Sequence, residues 1–388
     1  MKPASSNARV QPRSLLFLAW DWGARGGLES VSEDLVAAFR QRGWAVEVWS
    51  ATARRPATRA GVTDVPLAPA GRWARVWYHR VRWRDLLRRR LAEPERAYDL
   101  ILVGHALVLP ALPAPRATAA PPVWLWAHGI ELWGEPGRRL APHLGALRRI
   151  AAVSDFTRAQ VEKLHSGVPL HVVPNSVDTA RLRPATDPAR IRRREILICG
   201  RMARQERYKG HEALLQALQR ARADGGGALS LRVVGDGDDR GHLEARARAL
   251  GVASAVHFVG RLDDDALLEA YQHAGLFAMP SAVVERPRGT WGGEGLGLVY
   301  LEAAACGRPV IASREGGAAE TVRDGETGLL VDPRNPAELA RALRQLTDDP
   351  DRADQLGRNG RAFMEEHFSR ARFAARIGEL LQADGLAD

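Results

Sequence analysis

Leu15-Leu16-Phe17-Leu18-Ala19 is a short apolar run that opens onto Trp20-Asp21-Trp22-Gly23-Ala24-Arg25-Gly26-Gly27. Five apolar residues closed off by a glycine-rich turn read as a strand buried in a sheet. Leu28, Val31, Leu35, Ala38 and Phe39 then recur at helical spacing, Gly43 ends that helix, and residues 45–49 supply the next strand. Strand, turn, helix and strand in that order form the repeating unit of a doubly wound parallel sheet. Residues 99–103, 123–127, 150–153 and 171–173 read as further strands of the same sheet.

A second series follows at 196–199, 231–234, 256–259, 276–279, 309–312 and 328–331. Helical patterns alternate with it at 211–223, 239–250, 264–274, 297–306, 336–347 and 351–366. The chain is therefore α/β, with two such sheets in tandem. Its 388 residues are too many for one ordinary core. The seam falls in the Pro- and Arg-rich stretch 178–194, dividing the chain into domains at 1–185 and 186–368. Residues 369–388 carry Phe373, Ile377, Leu380 and Leu381 at helical spacing, so this segment must dock on something.

The apolar share, 45%, is ordinary for a globular protein, and no run of 18 apolar residues exists to cross a bilayer as a helix. Residues 1–13 are polar and lack the apolar stretch of a signal peptide. The two cysteines, Cys199 and Cys306, have neither a second Cys nor a His at zinc spacing, which favours a reduced, cytoplasmic protein. Positive charge is concentrated early: residues 1–190 hold 28 Lys and Arg against 16 Asp and Glu, and the remainder 28 against 30. Lysine occurs only at 2, 163 and 209, so a lysine inside a motif stands out.

Gly293-Glu294-Gly295-Leu296-Gly297-Leu298-Val299-Tyr300-Leu301-Glu302 is the segment richest in chemistry. A glycine-rich turn feeding a helix offers bare N–H groups and the positive end of the helix dipole to an anionic or polyhydroxylated ligand. A step of eight residues would keep both carboxylates on nearly one side of the segment. The competing reading is a glycine-capped surface helix with solvated acids.

These residues resemble the retaining GT-B-fold glycosyltransferases of family four over nearly the whole chain. The resemblance rests on Gly26-Gly27-Leu28-Glu29, His128-Gly129-Ile130-Glu131, Val153-Ser154-Asp155-Phe156-Thr157 and Pro174-Asn175-Ser176-Val177-Asp178. It continues through Gly200-Arg201 leading to Lys209-Gly210, Val234-Gly235-Asp236-Gly237, Phe258-Val259-Gly260, and the Glu294/Glu302 segment with Gly307-Arg308-Pro309-Val310. It implies two Rossmann-like domains facing across a cleft, with the C-terminal helix crossing back to the N-terminal domain. The N-terminal domain would take the acceptor and the C-terminal domain the nucleotide sugar.

By the same resemblance Arg201 and Lys209 neutralise the leaving diphosphate, Arg as a fork and Lys as a point charge. No metal and no cofactor are then required. Their spacing exceeds the common family pattern, so Arg204 or Arg207 could substitute for one of them. His128 is placed beside the anomeric carbon. Glu294 and the backbone at Gly295, Leu296 and Gly297 hold the sugar hydroxyls, and Glu302 the ribose. Gly26 and Gly27 face the diphosphate or acceptor, and Val259, Gly260, Arg261 and Leu262 flank the base. The donor expected on family frequency is UDP-linked. The acceptor is a glycan, a lipid-linked glycan or a small molecule. Alternatives are a GT-B epimerase or hydrolase of nucleotide sugars, or a non-catalytic sugar-nucleotide-binding partner.

Asp236-Gly237-Asp238 spells the Asp-x-Asp of metal-dependent transferases, but after a strand and before a helix it reads as turn and cap chemistry. Residues 72–90 hold eight arginines interleaved with Trp73, Trp77, Tyr78 and Trp83. This is either a helix lying on an anionic membrane surface, which would make the protein peripheral at the inner face, or an amphipathic helix packed on its own domain. Nucleic acid is not expected, because no binding module accompanies the patch.

Overall fold

In a computed structural model the chain forms two six-stranded parallel sheets with helices between successive strands. The structure describes residues 12–20, 22, 26–51, 82–93, 97–112, 120–164, 166–225 and 227–387. The first sheet contains β1 (Ser14–Ala19), β2 (Ala45–Ser50), β3 (Leu100–Val103), β4 (Val123–Ala127), β5 (Arg149–Ala152) and β6 (Leu170–Val172), in the order β2-β1-β3-β4-β5-β6. The second contains β7 (Arg192–Cys199), β8 (Ser230–Val234), β9 (Val256–Gly260), β10 (Ala274–Met279), β13 (Val310–Ser313) and β14 (Gly328–Val331), in the order β14-β13-β10-β7-β8-β9. An antiparallel hairpin, β11 (Val284–Arg286) and β12 (Thr290–Gly292), lies between β10 and β13. The alternation of short strands does not announce it, because its residues are mostly charged, glycine or proline.

Leu15 to Ala19 are fully buried, as their unbroken apolar run requires. The strand order reverses between β1 and β3, and again between β7 and β10. In open α/β sheets such switch points open crevices at the carboxyl ends of the strands, and both halves turn those ends towards each other here.

Helices α1 (Gly27–Gln41), α2 (Trp83–Leu91), α3 (Gly134–Leu144) and α4 (Asp155–Glu162) accompany the first sheet. Helices α5 (His211–Ala223), α6 (Arg240–Ala249), α7 (Asp264–His273), α8 (Leu298–Ala305), α9 (Pro336–Asp348) and α10 (Pro350–His367) accompany the second. The last helix, α11 (Arg370–Ala383), returns to the first sheet. Phe373 meets Trp126 edge-on at 5.5 Å, the Trp124 Nε1–H donates to Asp384 Oδ2 at 2.8 Å, and Arg149 pairs with Asp384 at 2.5 Å.

The chain passes between the halves twice at one place. Val177 N–H donates to the Phe368 carbonyl at 2.8 Å. Ser176 Oγ donates to Asp34 Oδ2 at 2.6 Å, and Arg370 binds both Asp34 (2.8 Å) and Asp178 (2.5 Å). The Ser176 hydroxyl thus serves this crossing.

The basic stretch divides. Residues 72–81 lie outside the described residues. Trp83 and Leu87 are fully buried in the core of the first half, and Arg90 is buried against Glu47 and Glu93. Trp83 is therefore a packing residue and does not sit at headgroup level. The apolar face of α2 is consumed by its own domain.

Candidate functional site

The carboxyl ends of the two sheets meet at backbone level. A Cβ on Gly295 would lie 1.8 Å from the His128 carbonyl oxygen, and one on Gly129 would lie 3.1 Å from Gly295 Cα. Only bare backbone permits that approach. Gly27 opens α1, and a Cβ there would touch the Cδ1 of Leu298, which opens α8, at 3.2 Å. Gly297, the residue before α8, holds a left-handed φ of 93°. Two helix N-termini, one from each half, therefore face each other, and both favour negative charge. Gly26 precedes α1 on the exposed side of this junction.

Lys209 lies in a 3-10 turn, Arg204–Lys209, after β7. Gly210, with φ of 83°, turns the chain there into α5, and a Cβ at that position would collide with the Pro280 carbonyl. The ammonium of Lys209 donates to Glu294 Oε1 at 2.7 Å, and both side chains are about 85% buried (15% and 14% exposed). Burial alone would lower the Lys209 pKa. The Glu294 carboxylate, Tyr208 and Glu206 together outweigh it, so the lysine is held as a cation well above its ordinary value.

Arg201 is bound to Glu206 and remains 61% exposed at the side chain. Arg207 forks onto Asp239 at 2.6 and 2.8 Å. The Arg204 N–H donates to Asp238 Oδ1 at 3.0 Å.

Glu294 and Glu302 do not share one helical face. Helix α8 begins at Leu298, so Glu294 lies in the turn before it and the helical repeat does not apply between them. Glu294 turns to Lys209. Glu302 accepts from the Tyr271 hydroxyl at 2.7 Å. Burial raises the Glu302 pKa, and the Tyr271 hydrogen bond opposes that in part. The Leu296 side chain is buried in the core of the second half, so it is through its backbone that this residue belongs to the turn.

Val259, Gly260 and Leu262 lie half-buried at the end of β9, with Arg261 exposed. His128 Nε2 donates to the Gly104 carbonyl at 2.8 Å, and its backbone N–H donates to Glu131 Oε1 at 2.7 Å, so Glu131 shapes this loop. Burial lowers the His128 pKa and keeps the ring neutral; Glu131 opposes the shift.

The Asp-Gly-Asp segment does turn chemistry without capping. Asp236 Oδ1 accepts from Gly237 N–H, and α6 begins after Asp239 with no side-chain cap. Gly235 and Gly237 are there because Cβ atoms would meet the Gly200 and Met202 carbonyls, each at 2.1 Å. Among the described residues no group of three His, Cys, Asp or Glu is placed to hold a metal ion. No described helix is long and apolar enough to cross a membrane.

Glu206, Tyr271 and Trp133 escaped the motif reading. Trp133 is fully buried beneath the junction, against Gly129 and Gly293. None of the three carries a local signal, because each acts on a residue brought to it by folding.

Comparison with known proteins agrees with this geometry. Residues 25–181 match the model described as Glycosyltransferase Family 4, and residues 190–363 match Glycosyl transferases group 1. A GDP-mannose-dependent alpha-(1-6)-phosphatidylinositol monomannoside mannosyltransferase of Mycobacterium tuberculosis is 36% identical over 324 residues, 78% of this chain and 80% of the relative. A GDP-mannose-dependent monoacylated alpha-(1-6)-phosphatidylinositol monomannoside mannosyltransferase of Corynebacterium glutamicum is 34% identical over 317 residues, covering 75% and 78%. Among solved structures, sucrose-phosphate synthase from Thermosynechococcus elongatus superposes with a TM-score of 0.76 at 22% identity, covering 96% and 98%. Anabaena HepE in complex with UDP and glucose gives 0.74 at 21%, covering 96% and 100%. Both carry the GT-B architecture.

Proposed function

The chain belongs to glycosyltransferase family four, and from that we propose that it moves a mannosyl group from GDP-mannose to a hydroxyl of a lipid-linked polyol, with retention and without a divalent metal. GDP-mannose takes the place of the uridine donor expected above. The relatives that cover most of this chain carry GDP-mannose in their names, whereas the UDP complexes are too distant in sequence to bear on more than fold. The observation that carries the reading is the Lys209–Glu294 pair set beside the facing N-termini of α1 and α8. A cation and two helix dipoles suit a diphosphate, and a carboxylate beside them suits a sugar hydroxyl.

In this reading Arg201 leaves Glu206 to join Lys209 on the diphosphate, and Glu294 turns from Lys209 to the mannosyl hydroxyls. Glu302 takes the ribose, the end of β9 the base, and His128 the sugar next to its anomeric carbon. The bond from C1 to the diphosphate oxygen breaks, and a bond from C1 to the acceptor oxygen forms on the same face. The acceptor proton passes to the departing phosphate oxygen. Charge growing on that oxygen is met by Arg201, Lys209 and the helix N-termini. The N-terminal half supplies the acceptor side. Among the described residues of the basic stretch, Arg82, Arg88 and Arg89 are exposed and would meet anionic headgroups.

The test is transfer from GDP-mannose and UDP-glucose to phosphatidylinositol monomannoside, with and without EDTA. An α-mannoside formed from GDP-mannose alone, insensitive to chelation, is expected. A β-linked product would remove the retaining mechanism, and loss with EDTA would remove the metal-free one.

A further inference from the structure

Three rings stand in a row along the carboxyl edge of the first sheet. Trp20 follows β1, His105 follows β3 and His128 follows β4, and these strands are neighbours in the sheet. The Trp20 and His105 ring centroids are 5.7 Å apart with planes 31° apart, and His105 and His128 are 5.9 Å apart and stacked at 26°. His128 is already placed at the junction with Gly295. The row therefore starts at the donor side of the cleft and runs into the N-terminal half.

The hydrogen bonds assign the tautomers. Leu107 N–H donates to His105 Nδ1 at 3.3 Å, so the His105 proton resides on Nε2. His128 donates through Nε2 to the Gly104 carbonyl, so its Nδ1 is an acceptor. Burial holds His105 neutral, with a pKa of about 4, so its Nε2 keeps a lone proton at neutral pH. One ring thus offers a donor and its neighbour an acceptor, a match for hydroxyl groups, which are both.

A second observation points the same way. Among the described residues the exposed large hydrophobic side chains are Leu28, Leu107 and Ile130. Each lies within two residues of Gly27, His105 or His128, at the same edge. Unrelated surface leucines would be scattered over the molecule; these three rim one end of the first sheet.

We infer that Trp20, His105 and His128 form the platform on which the acceptor's polyol ring lies, with Leu107 and Ile130 meeting the apolar part of a lipid-linked acceptor. The inference rests on the glycosyltransfer proposed above. His105 is then an acceptor-binding residue that presents an N–H to a ring hydroxyl, and Trp20 supplies an aromatic surface for the ring's C–H face.

The test uses the full chain with saturating GDP-mannose and phosphatidylinositol monomannoside in detergent. His105→Phe keeps a ring and removes the N–H; Trp20→Ala removes the aromatic surface. Each is expected to raise the acceptor KM by about tenfold, while GDP-mannose affinity by calorimetry stays within about twofold. Slow donor hydrolysis in water should persist. An unchanged acceptor KM in both variants, or an equal loss of donor affinity, would overturn the platform. Should Trp20→Ala fail to fold, Trp20→Phe provides the same comparison with a retained ring and an expected KM between the two. Failure of the wild type to transfer mannose would instead strike at the donor and acceptor assignment, so the two failures are distinguishable.

Discussion

Glu320, in the carboxy-terminal half, accepts the Phe156 N–H of the other half at 2.8 Å, and its second oxygen accepts the Asp155 N–H at 2.8 Å. Both N–H groups belong to the first turn of α4, so a carboxylate from one sheet satisfies a helix end of the other. The opposing half thereby closes on a feature that already seeks negative charge.

Glu320→Ala should therefore loosen closure without melting α4, whose Ser154 Oγ caps Thr157 N–H independently at 3.0 Å. Hydrogen bonds to a charged group contribute about 1.5–3 kcal/mol, enough to shift an open–closed equilibrium by about ten- to a hundredfold. Small-angle scattering should report a larger radius of gyration, with kcat reduced and circular dichroism unchanged. Unchanged scattering and turnover would show that closure does not depend on this contact.

Removing Lys209 should separate catalysis from stability. Lys209→Met is expected to lower transfer by about a thousandfold, as losing a preorganised charge opposite a developing anion does. It also strands the Glu294 carboxylate, costing about 3 kcal/mol of stability. Adding Glu294→Gln should return much of the melting temperature and none of the activity. Recovery of both together would mean that the pair is structural only.

Tyr271→Phe removes the hydroxyl that donates to Glu302 and keeps the wholly buried ring. The expected result is a GDP-mannose KM raised about tenfold with kcat nearly unchanged. If kcat falls and KM holds, Glu302 acts in the chemical step and not in gripping the ribose.

Acid should destabilise the fold through its buried imidazoles. Burial pulls His105 and His211 from 6.5 to about 4, with Glu131 opposing the shift at His105, and Lys209 adding to it and Asp239 opposing it at His211. Between those values the unfolded chain binds more protons than the folded one, so stability is complete above pH 6.5 and declines as pH falls towards 4. The ceiling is about 3 kcal/mol for each histidine. Urea unfolding at pH 7.5 and pH 5 should show a smaller difference for His211→Gln than for wild type. An identical difference would assign the acid sensitivity to other groups.

The strands of both sheets could be read from apolar runs such as Leu15–Ala19 and 196–199, because parallel strands buried on both faces are nearly continuous in apolar residues. The junction glycines were visible as glycines, but their reason was not. Gly295 is small because the His128 carbonyl lies against it, from a segment more than 160 residues earlier in the chain. Asp236-Gly237-Asp238 looked like a helix cap, and the helix began one residue later. The shared face assumed for Glu294 and Glu302 failed because glycines at 293, 295 and 297 delayed the helix until Leu298. On α2 the amphipathic pattern stated only that a face must be covered, and the first half's own core covers Trp83 and Leu87.

The sequence by itself determined the two-sheet α/β architecture, the family, and which residue types were on offer for a diphosphate and a sugar. Local propensity and burial patterns along a strand or helix suffice for that. The tertiary structure decided which of those side chains meet. Lys209 is joined to Glu294, Tyr271 to Glu302, and Glu320 to α4 across stretches of 85, 31 and more than 160 residues. Such pairings follow from how sheets pack and face each other, and charge, hydrogen bonding and dipoles act only once that packing has brought the atoms within reach.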